Sequence, residues 1–193
     1  MITKRIAIFA SGSGSNAQSI IEYFHQKENI EVALIVCNKS NAFVVQRARK
    51  LGVKCFVFNI ETFKNNLGFL DILNKYKVDW IVLAGFLLKI PEYIIDEYQN
   101  KIINIHPALL PKYGGKGMYG INVHRSVLEN KESESGISIH FVNKNYDEGK
   151  IIFQASCKIS LEDSVESLAR KIHVLEHQHY SRVIEETIIN SDQ

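Results

Sequence analysis

Ile6-Ala7-Ile8-Phe9-Ala10-Ser11-Gly12-Ser13-Gly14-Ser15-Asn16 is an apolar run closed by a turn of glycine and serine. Five apolar residues without alternation suit a strand buried on both faces of a parallel sheet. Beyond the turn, Ala17, Ile20, Ile21 and Phe24 recur at helical spacing. Strand, tight turn and helix in this order open a βαβ unit.

The rhythm repeats outward from there. Residues 32–37 predict a second strand and 43–51 a second helix. A third strand is expected over 53–58, followed by a helical stretch through Leu67, Leu70, Ile72 and Leu73. Residues 80–84 and 101–105 read as the fourth and fifth strands. The expected fold is α/β, with a doubly wound, mostly parallel, Rossmann-like sheet and right-handed crossovers.

After residue 106 the character changes. Residues 107–120 form a loop rich in Pro, Gly and Lys, and 121–129 look helical. Residues 136–143 alternate, with Ile137, Ile139 and Phe141 against Ser138 and His140, and 150–155 form another strand able to pair with them. This gives an antiparallel C-terminal portion. A long amphipathic helix over 161–189 ends the pattern, with Ser160 or Asp163 as its expected cap.

Composition fits one soluble domain: 193 residues, 46% hydrophobic and 23% charged. Lys and Arg number 23 against 21 Asp and Glu, a formal charge of +2, so no nucleic-acid or membrane partner is expected. Cys37, Cys55 and Cys157 lack metal-ligand spacing and read as reduced cytosolic thiols. Met1-Ile2-Thr3-Lys4-Arg5 leads into the first strand without a signal-peptide core, so a cytoplasmic location is expected.

The turn has a chemical reading of its own. Small residues let a ligand approach the backbone, and a helix N-terminus offers unbonded N–H groups with a favourable dipole, so phosphate binding is the physical default. A purely steric strand–helix turn is the alternative. Gly12, Gly14 and Ala17 also satisfy a dinucleotide pattern, but that pattern expects an acid after the second strand, where the chain reads Cys37-Asn38-Lys39-Ser40.

Asn104-Ile105-His106-Pro107 sits at the end of the fifth strand. Residues two apart on a strand share a face, so an amide and an imidazole can address one small volume. That pair suits a developing oxyanion and a proton transfer. Asp147 by itself reads as a turn residue, and His140 as a structural histidine or a pocket wall. His173, His177 and His179 read as a solvated helix face; His173 and His177 stand at i, i+4, but the H-E-x-x-H order is absent and no metal is expected.

Asn104-Ile105-His106-Pro107-Ala108-Leu109-Leu110-Pro111 resembles the signature of the folate-dependent formyltransferases. Leu83-Ala84-Gly85-Phe86, the turn at Gly12–Asn16, residues 42–49, and Ser138-Ile139-His140-Phe141-Val142 followed by Asp147 match further family segments in order, over nearly the whole chain. The resemblance implies an enzyme of purine (IMP) synthesis that passes the formyl group of 10-formyltetrahydrofolate directly to the amine of glycinamide ribonucleotide. It implies a catalytic triad at Asn104, His106 and Asp147, and a phosphate turn at Gly12, Ser13, Gly14, Ser15 and Asn16. Ribose hydroxyls fall to Glu176. Folate contacts fall on Leu87, Leu88, Lys89, Ile90 and Asn104 and on the loop holding Asn143, Tyr146 and Asp147. A cis peptide is expected at Leu110-Pro111. Asp147 beside His106 would favour the imidazolium.

The chain departs from the family twice. Where relatives carry a phosphate-binding arginine it reads Phe63-Lys64-Asn65-Asn66, which leaves Lys64 as a substitute without the guanidinium fork. The loop over 112–122 is longer than in familiar members. One domain over 1–193 is expected, with 1–106 as the nucleotide-binding half and 107–193 as the folate and catalytic half. It is expected to work as a monomer or homodimer on small molecules alone. Two other functions share features with the chain: formyl transfer to an aminoacyl-tRNA or a nucleotide sugar, where an added C-terminal domain is usual, and non-catalytic nucleotide sensing.

Overall fold

The structure is a computed structural model that describes residues 3–191. Met1 and Ile2, expected to lead into the first strand, lie outside the described residues. In chain order the elements are β1 (Lys4–Ala10), α1 (Ser15–Phe24), β2 (Ile30–Cys37), α2 (Phe43–Lys50), β3 (Cys55–Val57), α3 (Ile60–Lys64), α4 (Phe69–Lys75), β4 (Trp80–Leu83), α5 (Glu92–Glu97), β5 (Ile102–His106), α6 (Ile121–Glu129), β6 (Glu134–Phe141), β7 (Ile151–Lys158) and α7 (Val165–Asn190).

The strands follow the order β3-β2-β1-β4-β5-β6-β7. β1 runs parallel to β2 and β4, and β2 to β3, whereas β6 and β7 are antiparallel. The fold is the expected doubly wound α/β class with an antiparallel C-terminal part and a long final helix. The chain divides into two compact units, Met1–Ile103 and Asn104–Gln193.

In the first unit Ile6, Ala7, Ile8, Phe9 and Ala10 are fully buried, as their unbroken apolar run requires. Phe9, Phe58, Phe63, Phe69 and Phe86 meet edge-on or tilted at 4.8–6.3 Å, a cluster that fixes β3, α3 and α4 against β1. The single helical stretch expected around residue 67 is two short helices instead. Asn66 and Gly68 adopt positive φ (51° and 75°), which stops one helix and starts the next, and Leu67 is left exposed. The six-residue α5 had no counterpart in the sequence reading.

In the second unit the expected alternation of β6 fails to expose a face: Ser135 through His140 are all buried. β6 lies between two strands, and the side chains of Ser138 and His140 find internal partners rather than water. The last helix begins at Val165, not at 161. Its cap is Ser164, in a capping box with Ser167, because Ser160 and Asp163 bond to each other first (Ser160 N–H to Asp163 Oδ2, 2.8 Å).

Candidate active site

β5 runs one residue further than expected and carries both Asn104 and His106. The peptide Leu110-Pro111 is cis, as expected. The segment after β5 is clamped by β6 and β7. Ser138 Oγ accepts from the Leu110 N–H (2.9 Å) and donates to the Ala108 carbonyl (2.7 Å), and Gln154 Nε2 donates to both Ser138 Oγ and the Leu110 carbonyl. A fully buried hydroxyl with every lone pair and proton in use is a rigid support.

Four side chains of this unit converge. His106 is 4% exposed, and its Nε2 donates to the carbonyl of Tyr113 at 2.8 Å. A carbonyl only accepts, so Nε2 bears a proton and Nδ1 is the nitrogen left for exchange. Nδ1 faces Asp147 Oδ2 at 3.6 Å. That is longer than a hydrogen bond but common for a catalytic pair without substrate. The Gly115 N–H fixes the same carboxylate oxygen at 2.9 Å. Gly114 makes this approach possible: a Cβ there would stand 3.2 Å from Cβ of Asp147 and 2.7 Å from Leu110 Cδ2. Asp147 itself sits at φ 55°, a left-handed position that Asp tolerates, so it is both a turn residue and a member of the cluster.

His140 is the member that sequence reasoning set aside. Its Nδ1 donates to the Phe141 carbonyl at 2.8 Å, which makes Nε2 an acceptor, and Asn104 Nδ2 lies 3.0 Å from it. Asp147 Oδ1 is 3.7 Å from the same nitrogen. Burial holds the pKa of His140 below the ordinary histidine value against the opposing pull of the Phe141 carbonyl and Asp147, so the ring stays neutral and keeps its acceptor. The amide of Asn104 is thereby oriented with one N–H bound and the second to offer. The signal available in the sequence was a histidine two residues after a serine on a buried strand, and the alternation pattern hid it.

Also in this unit, Glu176 is 7% exposed on α7 and pairs with Nδ1 of His173 at 2.9 Å; that contact raises the pKa of His173. His173 and His177 are exposed, as expected of a solvated face, but His179 stacks on Phe153 at 4.9 Å. His124 on α6 is buried with its Nδ1 lacking a partner among the described residues, and burial lowers its pKa. Asn143 accepts from the Asn145 N–H (2.9 Å) within the loop that presents Asp147, and Tyr146 is exposed there. Among the described residues no group of three or more His, Cys, Asp or Glu is placed to hold a metal.

The first unit contains the turn and the 87–90 segment. Gly14 caps α1 at φ 74°, and a Cβ there would come within 2.5 Å of Val44, so any side chain must displace its neighbours. Ser11 ties the two segments together: its N–H donates to the Gly85 carbonyl (3.1 Å), and its Oγ accepts from the Leu87 N–H (3.0 Å). Leu87 and Lys89 are exposed, Leu88 half-buried and Ile90 buried. Lys64, the expected substitute for an arginine, is exposed at the end of α3.

The chain belongs to the formyl transferase family, whose model matches residues 4–184. It is 40% identical over 187 residues to the chloroplastic phosphoribosylglycinamide formyltransferase of Arabidopsis thaliana, covering 94% of this chain and 64% of that protein. The corresponding Vigna unguiculata protein is 39% identical, with 60% of its length covered. The chain thus spans less than two thirds of these plant relatives. Against the Bacillus subtilis phosphoribosylglycinamide formyltransferase, identity is 34% over 190 residues, with 96% of this chain and 95% of that one covered. Among solved structures, glycinamide ribonucleotide transformylase 1 from Geobacillus kaustophilus superposes with a TM-score of 0.87 at 34% identity, covering 95% of this chain and 97% of that one.

Proposed function

We propose that the protein transfers the formyl group of 10-formyltetrahydrofolate to the amine of glycinamide ribonucleotide. The observation that carries the reading is the convergence of Asn104, His106, His140 and Asp147 within one unit, in a chain whose relatives bear the name of that reaction.

The amine nitrogen attacks the formyl carbon, and the carbonyl electrons move to oxygen. Asn104 donates its second N–H to that oxyanion, with the first held by His140. Nδ1 of His106, opposite Asp147, is the position from which a proton is supplied and taken. Collapse of the intermediate breaks the bond to the folate nitrogen, which receives the proton lost by the amine. Direct transfer fits the thiols: burial raises the pKa of Cys37 and Cys157 and pushes Cys55 to about 11, leaving no thiolate nucleophile among them.

In this reading Gly12, Ser13, Gly14, Ser15 and Asn16 bind the substrate phosphate, with Lys64 a weaker contributor, and Glu176 binds the ribose hydroxyls. Leu87, Leu88, Lys89, Ile90, Asn143 and Tyr146 contact the folate. The protein acts in the cytoplasm as a monomer or homodimer and needs no metal. Among the described residues no helix is long and apolar enough to cross a membrane. The test is a formyl-transfer assay with the purified protein and both substrates. Turnover that requires both supports the proposal, and its absence with folded protein rejects it.

A further inference from the structure

The turn at residues 11–16 is held from the side by α2. The Val44 N–H donates to the Gly12 carbonyl at 3.1 Å, and Nε of Arg47 donates to the Ser13 carbonyl at 2.9 Å. Nη1 of Arg47 donates to Oε1 of Gln18, a residue of α1 whose own N–H closes onto the Gly14 carbonyl at 2.9 Å. The guanidinium is seated over the ring of Phe43 at 4.8 Å, which fixes its plane. One side chain thus bridges the turn, α1 and α2.

The geometry of a trans peptide makes this pinning directional. C=O and N–H of one peptide unit point in opposite directions. Binding the Gly12 and Ser13 carbonyls toward α2 therefore aims the Ser13 and Gly14 N–H groups away from it. Neither group donates to another part of the chain among the described residues. Consecutive N–H groups of this kind, followed by the first turn of a helix, form an anion-binding concavity. The guanidinium adds a permanent positive charge beside it.

Resting on the proposed phosphate-binding role of the turn, we infer that Arg47 is the positioning residue for the phosphate of the substrate and supplies a fixed positive charge beside the turn. It acts through the carbonyls it holds and through its field rather than by bonding the phosphate itself. Two of its donor positions are already committed to Ser13 and Gln18.

The test compares wild type, Arg47→Met, Arg47→Lys and Gly14→Ala on the phosphorylated substrate and on its dephosphorylated glycinamide riboside. Arg47→Met is expected to raise KM for the phosphorylated form roughly 10- to 100-fold, the equilibrium worth of one or two charge-assisted bonds, with kcat and the KM for formyl donor near wild type. Arg47→Lys keeps the charge but loses the fork and should recover only part of this. The riboside decides the interpretation: without a phosphate to position, Arg47→Met and wild type should use it equally. Equal impairment on both substrates would mean a general structural role and overturn the inference. If Gly14→Ala, folded by circular dichroism, raises KM while Arg47→Met does not, the turn binds phosphate and Arg47 is not its positioning residue. If neither folded variant changes KM, the phosphate role of the turn itself is wrong.

Discussion

The two units use opposite kinds of chemistry. In the first, the candidate binding turn is made of main chain: glycine conformation, carbonyls pinned by α2, and N–H groups turned outward. In the second, the cluster is made of side chains whose tautomers are set by neighbours: His106 by the Tyr113 carbonyl and His140 by the Phe141 carbonyl. Main-chain donors bind an anion whatever its source, and tuned side chains act on one reacting centre. Damage to the turn should therefore appear in KM, and damage to the cluster in kcat.

The largest effects should come from Asn104→Ala and His106→Ala. Loss of an oxyanion donor costs roughly 10²–10³ in rate and loss of acid–base catalysis about 10²–10⁴. Steady-state kinetics should show these losses in kcat with an intact fold by circular dichroism. Near wild-type turnover in either variant removes that residue from the chemistry, and a pure KM effect dissolves the contrast between the units.

His140→Leu comes next. Asn104 would keep its amide but lose the acceptor that orients it, so kcat should fall roughly 10- to 100-fold, less than removal of the donor itself. His140→Gln places a carbonyl oxygen near the position of Nε2 and should restore most of the rate. Kinetics of the pair separate orientation from bulk, since equal losses in both would leave His140 with only a packing role. A smaller change, in the other unit, should follow Gly14→Ala. Its strained φ and contact with Val44 displace the Gly14 N–H, raising KM for the phosphorylated substrate about 10-fold with kcat little altered.

The contrast also explains what the sequence made legible. The turn is local, six consecutive residues that leave a strand and open a helix, and its glycines declare the backbone geometry. Asn104 and His106 were legible for the same reason, being two apart on one strand. Asp147 is 41 residues from His106 and looks like any turn aspartate until the fold brings them together, so it was found by resemblance rather than by chemistry. His140 reads from the sequence as a structural histidine or a pocket wall, because its contacts with Asn104 and Asp147 depend on strand neighbours and a distant loop that the pattern cannot show. Arg47 went unnoticed because an arginine on an amphipathic helix looks solvated until its partners are known. The division into α3 and α4 and the start of α7 were misread where Asn66, Gly68, Ser160 and Asp163 make local turns that interrupt an otherwise helical pattern.

The neutrality of His140 makes the smallest prediction, and it concerns stability rather than rate. Its pKa in the folded protein lies below the ordinary value of about 6.5 that applies when the chain unfolds. Above that value both states are neutral and the contribution is complete. As pH falls below it, the unfolded chain takes up a proton that the folded chain refuses, so stability is lost down to the folded pKa. A single group contributes at most about 1.4 kcal/mol per pH unit. His124, also buried with a lowered pKa, adds a slope of the same sign, so removing one histidine should flatten the acid limb without abolishing it. The groups facing His140 are Asn104, which is uncharged, Asp147, which raises its pKa, and His106, which lowers it. Urea unfolding of wild type and His140→Gln between pH about 5 and about 8 measures this. The variant keeps the acceptor but cannot titrate, so its stability should fall less steeply on the acid side. Parallel curves would mean that His140 titrates alike in the folded and unfolded chain and that burial does not hold it neutral; below its pKa Nε2 would then become a donor, and the orientation assigned to Asn104 would hold only above it.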